Sequence, residues 1–365
     1  MDRIRQNGTY KRAFIGGENG TSTETPTVSA PGYMTIITGT WGNKHNVNDN
    51  DVTSPNYHYK NIFRLLKEHD CKHTIGIFSS WIINRLKLIG EGLSTAGNIE
   101  FDYKFDGYDL DTRTYPHDPL YDHIRQIDQR VVDETVKCFE KTSPDLSWLY
   151  LDYTDEVGHL FGDSPQLFES ISNLDRHIGR IYDVIERRIQ SYGEDWLVIM
   201  TTDHGRDPVT GITHGKQSER ERTTWILTNS NQTNRYFQEF RPAAVDILPT
   251  IARFLELNIS KEIVRELDGV PLIGNVSLIQ PEISLSNDTL VIQWKALDNR
   301  GNVTVWLSTT NLFPVGLKDD YQFVCSVPIE NQRAQFNVKD YPILSQFYTY
   351  KIILEGQFNS VNRWF

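Results

Sequence analysis

The chain has 365 residues, 38% hydrophobic and 23% charged, with a formal net charge of -11 at pH 7. That length accommodates two domains or one large one. The acidic balance excludes a general binder of nucleic-acid backbone, such as a duplex, which presents a basic face; it leaves open a nucleotide substrate whose charge a metal ion offsets.

Taken in chain order, Pro26 to Gly39 reads as loop, helix and glycine stop. Ser29 fits the N-cap, Pro31 the first turn, where its missing N–H costs nothing, and Gly39 the position past the end. Asn61 to His69 has helical periodicity, with Ile62, Leu65 and Leu66 on one face. Thr74 to Phe78 follows as a short buried strand. Tyr108 to Tyr121 is polar and aromatic and reads as a surface loop. Asp128 to Lys141 is an amphipathic helix carrying Val131, Val132, Val136 and Phe139. Trp148 to Asp152 is a strand. Phe168 to Ile189 is a long helix with Ile171, Leu174, Ile178, Ile181 and Ile185 as its stripe. Trp196 to Met200 is another strand. Ala243 to Leu257 is a further helix, with Pro249 near its first turn or kinking it. This alternation predicts an α/β fold with a mostly parallel sheet and helices on both faces.

After about Gly274 the helical period disappears. Leu290 to Trp294, Val303 to Leu307, Gln322 to Cys325 and Tyr348 to Leu354 alternate at period two, separated by turn residues such as Asp298 to Asn302. The pattern predicts a small antiparallel β-sandwich. The expected division is therefore 1–273 and 274–365. No apolar run reaches the roughly 18 residues that span a bilayer, and no charged-then-apolar leader opens the chain. Cys71, Cys138 and Cys325 make no disulfide framework. Seven Asn-X-Ser/Thr tripeptides, beginning at Asn7, Asn19, Asn231, Asn258, Asn275, Asn287 and Asn302, lean toward an exported protein.

The chemistry concentrates in three short stretches. Asp155 and His159 are four apart, just after the strand ending at Asp152, and Gly158 between them allows a tight turn that brings both inward. Asp203 and His204 are adjacent, just after the strand ending at Met200. His214 lies on a glycine-bearing loop beyond. Singly, each is a turn residue or a hydrogen-bonded structural histidine. Together they place carboxylate oxygen and imidazole nitrogen at strand ends, where open α/β sheets bind ligands, and they suit zinc or a similar divalent ion. Five ligands exceed the need of one tetrahedral zinc and fall short of two. A paired site needs a further carboxylate and a nucleophile or water between the ions. Ser29, at a helix N-terminus that attracts anionic phosphate, is the candidate nucleophile.

Ser29-Ala30-Pro31-Gly32-Tyr33-Met34-Thr35-Ile36-Ile37-Thr38-Gly39, followed by Lys44-His45-Asn46-Val47 and Asn50, resembles the segment T-F-P-N-H-Y-T-I-V-T-G through S-H-G-I to an Asn. That segment belongs to the type I phosphodiesterase/nucleotide pyrophosphatase branch of the alkaline phosphatase superfamily. The resemblance covers residues 1 to about 273, through Val245 to Thr250 and Leu267-Asp268-Gly269. It implies a hydrolase of small phosphate esters, nucleotides among them, using two divalent ions, most simply zinc. Ser29 would be the nucleophile and a ligand of the second metal. Asn50 would contact a non-bridging phosphoryl oxygen. Asp155, His159 and His214 would hold one zinc, and Asp203 and His204 the other. The family's opening strand, whose Asp ligates the second zinc, has no counterpart before Ser29, so the expectation is a chain truncated at that strand or a second site one carboxylate short. Gly32 stands where the diesterases carry Asn. The C-terminal part resembles fibronectin type III modules.

Two alternatives share the fold. A sulfatase would need Arg where Tyr33 stands. A phosphomonoesterase would share the metal ligands, with Lys44 as a further phosphate contact, although an exposed lysine is the simpler reading. A third alternative is a non-catalytic binding protein with an incomplete metal site. The residues do not determine oligomeric state.

Overall fold

The computed structural model describes residues 1–341 and 351–364. The first 230 residues contain strands β1 (Thr9–Phe14), β2 (Ile75–Ser79), β3 (Tyr103–Phe105), β4 (Leu146–Tyr150), β5 (Ile199–Thr201) and β6 (Thr223–Thr228). The helices that matter for the site are α1 (Ser29–Thr38), α2 (Ile62–His69), α3 (Asp122–Lys141), α4 (Tyr153–Phe161), α5 (Pro165–Tyr192) and α6 (Ile247–Phe254). Helices alternate with strands as expected, but the sheet is not mostly parallel. β3, β2 and β4 pair in parallel, whereas β1, β6 and β5 pair antiparallel. The reason lies in the connection. A parallel pair needs a crossover, usually a helix. Residues 202–222 between β5 and β6 contain no helix, so the chain turns back beside the strand it has just left.

Local chemistry sets most boundaries. Ser164 accepts a hydrogen bond from the Leu167 N–H at 3.2 Å, Pro165 occupies the first turn, and Gly193 ends α5 with φ 68°. The helix therefore starts three residues before the expected Phe168. α3 likewise begins at Asp122, ahead of the expected Asp128. The expected helix from Ala243 is split, a 3-10 turn at Ala244–Asp246 leading into α6, with Pro249 in its first turn.

Two apolar clusters hold the catalytic-side layers together. Tyr33, Met34 and Ile37 of α1 pack with Ile62, Phe63 and Leu66 of α2 and with Ile75 and Ile77 of β2. Phe78 of β2 packs with Ile127, Val131 and Val132 of α3 and Ile181, Val184 and Ile185 of α5. Each such aliphatic side chain contributes about 1.5–3 kcal/mol by leaving water. The first cluster seats α1 firmly, which fixes the position of its N-terminus.

Among the described residues seven further strands follow: β7 (Leu278–Ser286), β8 (Thr289–Ala296), β9 (Asn302–Ser308), β10 (Gln322–Pro328), β11 (Arg333–Asn337), β12 (Lys351–Glu355) and β13 (Ser360–Trp364). They form two antiparallel sheets, ordered β11-β8-β7 and β10-β9-β12-β13. The β7–β8 hairpin turns through Asn287 and Asp288, both at positive φ, as a two-residue hairpin loop requires. Burial alternates along β8 and β9, so Leu290, Ile292, Trp294, Val303, Val305 and Leu307 form one core with Ile352 and Leu354. Of the run expected over Tyr348 to Leu354, residues 348–350 lie outside the described residues.

Candidate metal centre

α1 brings Ser29 to the site, but not as an N-cap. Val28 caps the helix in extended conformation, and Ser29 is its first residue. Asn50 makes the cap bond instead, its Oδ1 accepting from the Ala30 N–H at 2.9 Å. The residue expected at a phosphoryl oxygen is thus tied one position from the candidate nucleophile, with its amide nitrogen not needed for the cap. Gly39 ends the helix at φ 64°, as expected.

Asp155 and His159 are not joined by a tight turn. Both lie on α4, one helical turn apart, with His159 Nε2 3.2 Å from Asp155 Oδ2. Gly158 has another reason to be glycine: a Cβ there would lie 2.1 Å from the Arg206 guanidinium carbon.

The connection between β5 and β6 supplies the rest. The Thr224 hydroxyl bonds those of Thr201 at 3.0 Å and Thr202 at 2.9 Å and pins the end of β5 against β6. Gly205 then donates to the Glu221 carbonyl at 2.8 Å. Thr27, two residues before Ser29, ties the nucleophile segment to the His214 loop. Its carbonyl accepts from His214 Nδ1 at 2.9 Å and its Oγ1 from the Gly215 N–H at 3.1 Å. The sequence offered no signal for Thr27.

These elements bring the five expected ligands together. His204 Nε2 lies 3.4 Å from Ser29 Oγ, 3.5 Å from Asp203 Oδ2 and 4.0 Å from Asp155 Oδ1. His214 Nε2 lies 3.1 Å from His159 Nε2 and 4.0 Å from Asp155 Oδ2. The His204 and His214 rings stack at 3.7 Å between centroids. Asp155, His204 and His214 have ligand atoms within 4.8 Å of one another. Because Nδ1 of His204 donates to the Gly205 carbonyl at 2.9 Å, and Nδ1 of His214 to Thr27, both Nε2 atoms face the site as lone pairs. Asp203 Oδ2 is buried without a hydrogen-bond partner among the described residues. Inward imidazole lone pairs, a paired carboxylate and an orphaned carboxylate oxygen form a donor set that fits a divalent cation.

The electrostatics agree. Burial pushes the Asp155 carboxyl up, but the hydrogen bond from His159 and the electrostatic pull of the His204 and Arg206 side chains outweigh it and hold the group below the usual carboxylate range. Burial, with His204 nearby, pushes His214 down to about 4, favouring the neutral form that binds metal. Burial raises Asp203 against the pull of His204.

Two expectations about nearby residues change. Lys44 is neither exposed nor a phosphate contact. It is 4% exposed, and its Nζ donates to the Glu266 carbonyl at 2.7 Å, Asp268 Oδ1 at 2.5 Å and Asn362 Oδ1 at 3.0 Å. Arg206, which the sequence did not single out, lies in the site on Asp155, donating from Nη2 to its carbonyl at 2.5 Å and to its carboxylate.

Residues 15–259 match the model of a family described as type I phosphodiesterase / nucleotide pyrophosphatase. The chain is 30% identical over 173 residues to GPI ethanolamine phosphate transferase 2 of Schizosaccharomyces pombe, a match covering 42% of this chain and 21% of that protein. It is 24% identical over 183 residues to ectonucleotide pyrophosphatase/phosphodiesterase family member 5 of Homo sapiens, covering 49% of this chain and 36% of that one. The matches thus span well under half the length of either curated relative. The structure of murine ectonucleotide pyrophosphatase / phosphodiesterase 5 superposes with a TM-score of 0.46 at 13% identity, over 70% of this chain and 89% of that chain. Since the family model covers 245 of the 365 residues (259 − 15 + 1), the chain belongs to the type I phosphodiesterase/nucleotide pyrophosphatase family of the alkaline phosphatase superfamily.

Proposed function

We propose that this chain is a metal-dependent hydrolase of phosphate esters, a phosphodiesterase or nucleotide pyrophosphatase whose nucleophile is Ser29. Asp155, His159 and His214 would hold one divalent ion. Asp203, His204 and Ser29 would hold a second, with one carboxylate in that set. The mixed imidazole and carboxylate donors favour zinc. When bound, such ions supply Lewis-acid charge for the phosphoryl oxygens and lower the pKa of an attached hydroxyl. The chain's own residues do the rest. Ser29 Oγ attacks phosphorus and the ester oxygen leaves, giving a phosphoryl-serine that water then cleaves. The Ser29 N–H and the Asn50 amide nitrogen offer hydrogen bonds to the non-bridging oxygens.

The observation that carries this reading is the position of Ser29 Oγ, at a helix N-terminus and 3.4 Å from the inward Nε2 of His204. Family membership supports the reaction class. We further propose the division at residues 273 and 274, with the second part a fibronectin type III-like module. The partition of its seven described strands into sheets of three and four supports that reading. Export is proposed from the sequons; among the described residues no helix is long and apolar enough to cross a membrane.

The test compares wild type and Ser29→Ala on bis-p-nitrophenyl phosphate and p-nitrophenyl phosphate, with metal content measured on both proteins. The expected result is faster turnover of the diester by wild type. The variant should lose it by on the order of 10³-fold or more while at least one zinc stays bound. Equal turnover by the variant would remove Ser29 from the mechanism. Faster monoester turnover would reassign the enzyme as a monoesterase.

A further inference from the structure

We propose that Arg206 is a positioning residue that joins Asp155 and the His214 loop into one ligand frame; the inference rests on the metal-binding reading above. Arg206 is two residues past His204, on the connection that also carries His214. Its side chain is 12% exposed. Nη2 donates to the Asp155 carbonyl at 2.5 Å and to Asp155 Oδ1. Nη1 donates to the carbonyls of Gly211 at 3.3 Å and Ile212 at 3.2 Å. One guanidinium thus holds the carboxylate-bearing turn of α4 with one nitrogen and the two residues leading to Thr213-His214 with the other.

Three features make this more than a surface ion pair. First, the loop from Asp207 to Thr213 is closed on itself. The Asp207 carboxylate accepts the N–H groups of Val209 at 2.9 Å, Thr210 at 2.8 Å and Thr213 at 3.0 Å. The loop therefore moves as a unit, and Arg206, with the Asp163 N–H to Thr210 carbonyl bond at 3.2 Å, sets where that unit sits against α4. Second, Arg206 chooses the carboxylate oxygen. With Oδ1 engaged by the guanidinium, Oδ2 is the oxygen turned to His159 Nε2 at 3.2 Å and His214 Nε2 at 4.0 Å. Third, the guanidinium lies so close over Gly158 that a Cβ there would sit 2.1–2.4 Å from its Cζ, Nη2 and Nε atoms. Only glycine admits the fork in this place. A planar fork with several fixed donors can serve four acceptors on two elements, which a lysine point charge cannot. Groups that orient metal ligands in this way are worth roughly 10–100-fold in metal affinity.

The experiment titrates zinc against a chromophoric chelator for wild type, Arg206→Met, Arg206→Lys and Gly158→Ala. It also follows diester hydrolysis as free zinc is raised. Gly158→Ala matters most. It keeps the arginine and the charge of the chain but pushes the guanidinium aside, so it stands in for Arg206→Met should that variant fail to fold. Arg206→Met and Gly158→Ala are expected to bind zinc roughly 10–100-fold more weakly, with Arg206→Lys between them and wild type. Turnover lost at low zinc should return as zinc is raised. Zinc affinity within twofold of wild type in both Arg206→Met and Gly158→Ala would overturn the proposal, as would lost turnover that no zinc concentration restores. A wild type that binds no divalent metal would sink the metal reading and this proposal with it. Wild-type binding with unaltered variants would sink this proposal alone.

Discussion

Gly32→Ala is the sharpest probe of how the proposed nucleophile Ser29 is held. Gly32 lies one turn into α1, and a Cβ built there would stand 2.6 Å from the Asp203 carbonyl oxygen and 2.9 Å from the Asp203 Cβ. They are a backbone atom and a Cβ of a half-buried strand-end segment, so no flexible side-chain tip can yield. Reaching ordinary contact at about 3.4 Å needs roughly 0.8 Å of separation between α1 and Asp203. Ser29 is on the same first turn, and its Oγ is 3.4 Å from His204, the neighbour of Asp203. The strain therefore falls on the nucleophile-to-ligand distance itself. Overpacking of this kind costs about 1–3 kcal/mol of stability, and a displacement near 1 Å of a reacting group costs up to about 10²-fold in rate. The expected outcome is a melting temperature a few degrees lower and kcat/KM for bis-p-nitrophenyl phosphate roughly 10–100-fold lower, with kcat carrying most of the loss. Gly32→Asn, which restores the diesterase family's residue, should be worse than Gly32→Ala in this chain. Wild-type kcat/KM in Gly32→Ala, with an unchanged melt, would refute the close approach and the rigidity inferred from it.

Two further outcomes concern stability. His45 is fully buried, its Nδ1 accepting from the Val47 N–H at 3.1 Å and its Nε2 3.3 Å from Thr35 Oγ1. Burial pushes its pKa from 6.5 down to about 3, so the folded state binds fewer protons than the unfolded one between those values. Its contribution is complete above about 6.5 and is lost as pH falls toward about 3, a ceiling of about 5 kcal/mol. Urea midpoints measured from pH 7 to 4 should fall more steeply for wild type than for His45→Gln; parallel curves would refute the assignment. Lys351 of β12 is fully buried between Glu266 and Asp319, themselves 2% and 0% exposed. Lys351→Met should cost about 3–5 kcal/mol by leaving two carboxylates unpaired. A loss under about 1 kcal/mol, read from denaturant unfolding, would show the cluster does not bind the two parts of the chain together.

The candidate ligands were legible because acids and histidines stand out immediately after apolar runs such as Trp196 to Met200. The pairing of the strands was not. Periodicity distinguishes a strand from a helix, but it does not name the neighbour or the direction, so β5 was read into a parallel array and its antiparallel neighbour β6 was not expected. β1 was missed outright, because Thr9–Phe14 carries Lys11 and Arg12 and its only buried position is Ala13. Lys44 was misplaced for the opposite reason: nothing local announces that a lysine will be enclosed by Glu266, Asp268 and Asn362, all more than 200 residues away in sequence. The cap on α1 came from Asn50, twenty residues on, whereas capping rules search the helix's own first residues.

The glycines held a signal that the reading by turns overlooked. Gly32, Gly158 and Gly205 each lie within three residues of a candidate site residue; Gly158 was taken as a turn, and Gly32 only as a departure from the diesterases' Asn. In the structure each marks a place where another backbone or a guanidinium comes closer than a Cβ permits: Asp203 against Gly32, Arg206 against Gly158, the Arg220 carbonyl against Gly205 at 1.9 Å. Gly32 and Gly158 lie in helices and Gly205 in the β5–β6 connection, and none of the three sits at positive φ, so conformational freedom is not what these positions need. They need the missing methyl group. The site is built by three elements, α1, α4 and the β5–β6 connection, pressed together at these points. His204 Nε2 ends within 4.0 Å of Asp155, Asp203 and Ser29 alike because the approach is that close. A glycine beside a candidate ligand, outside any turn that requires it, is thus evidence about tertiary contact and a guide to which segments meet.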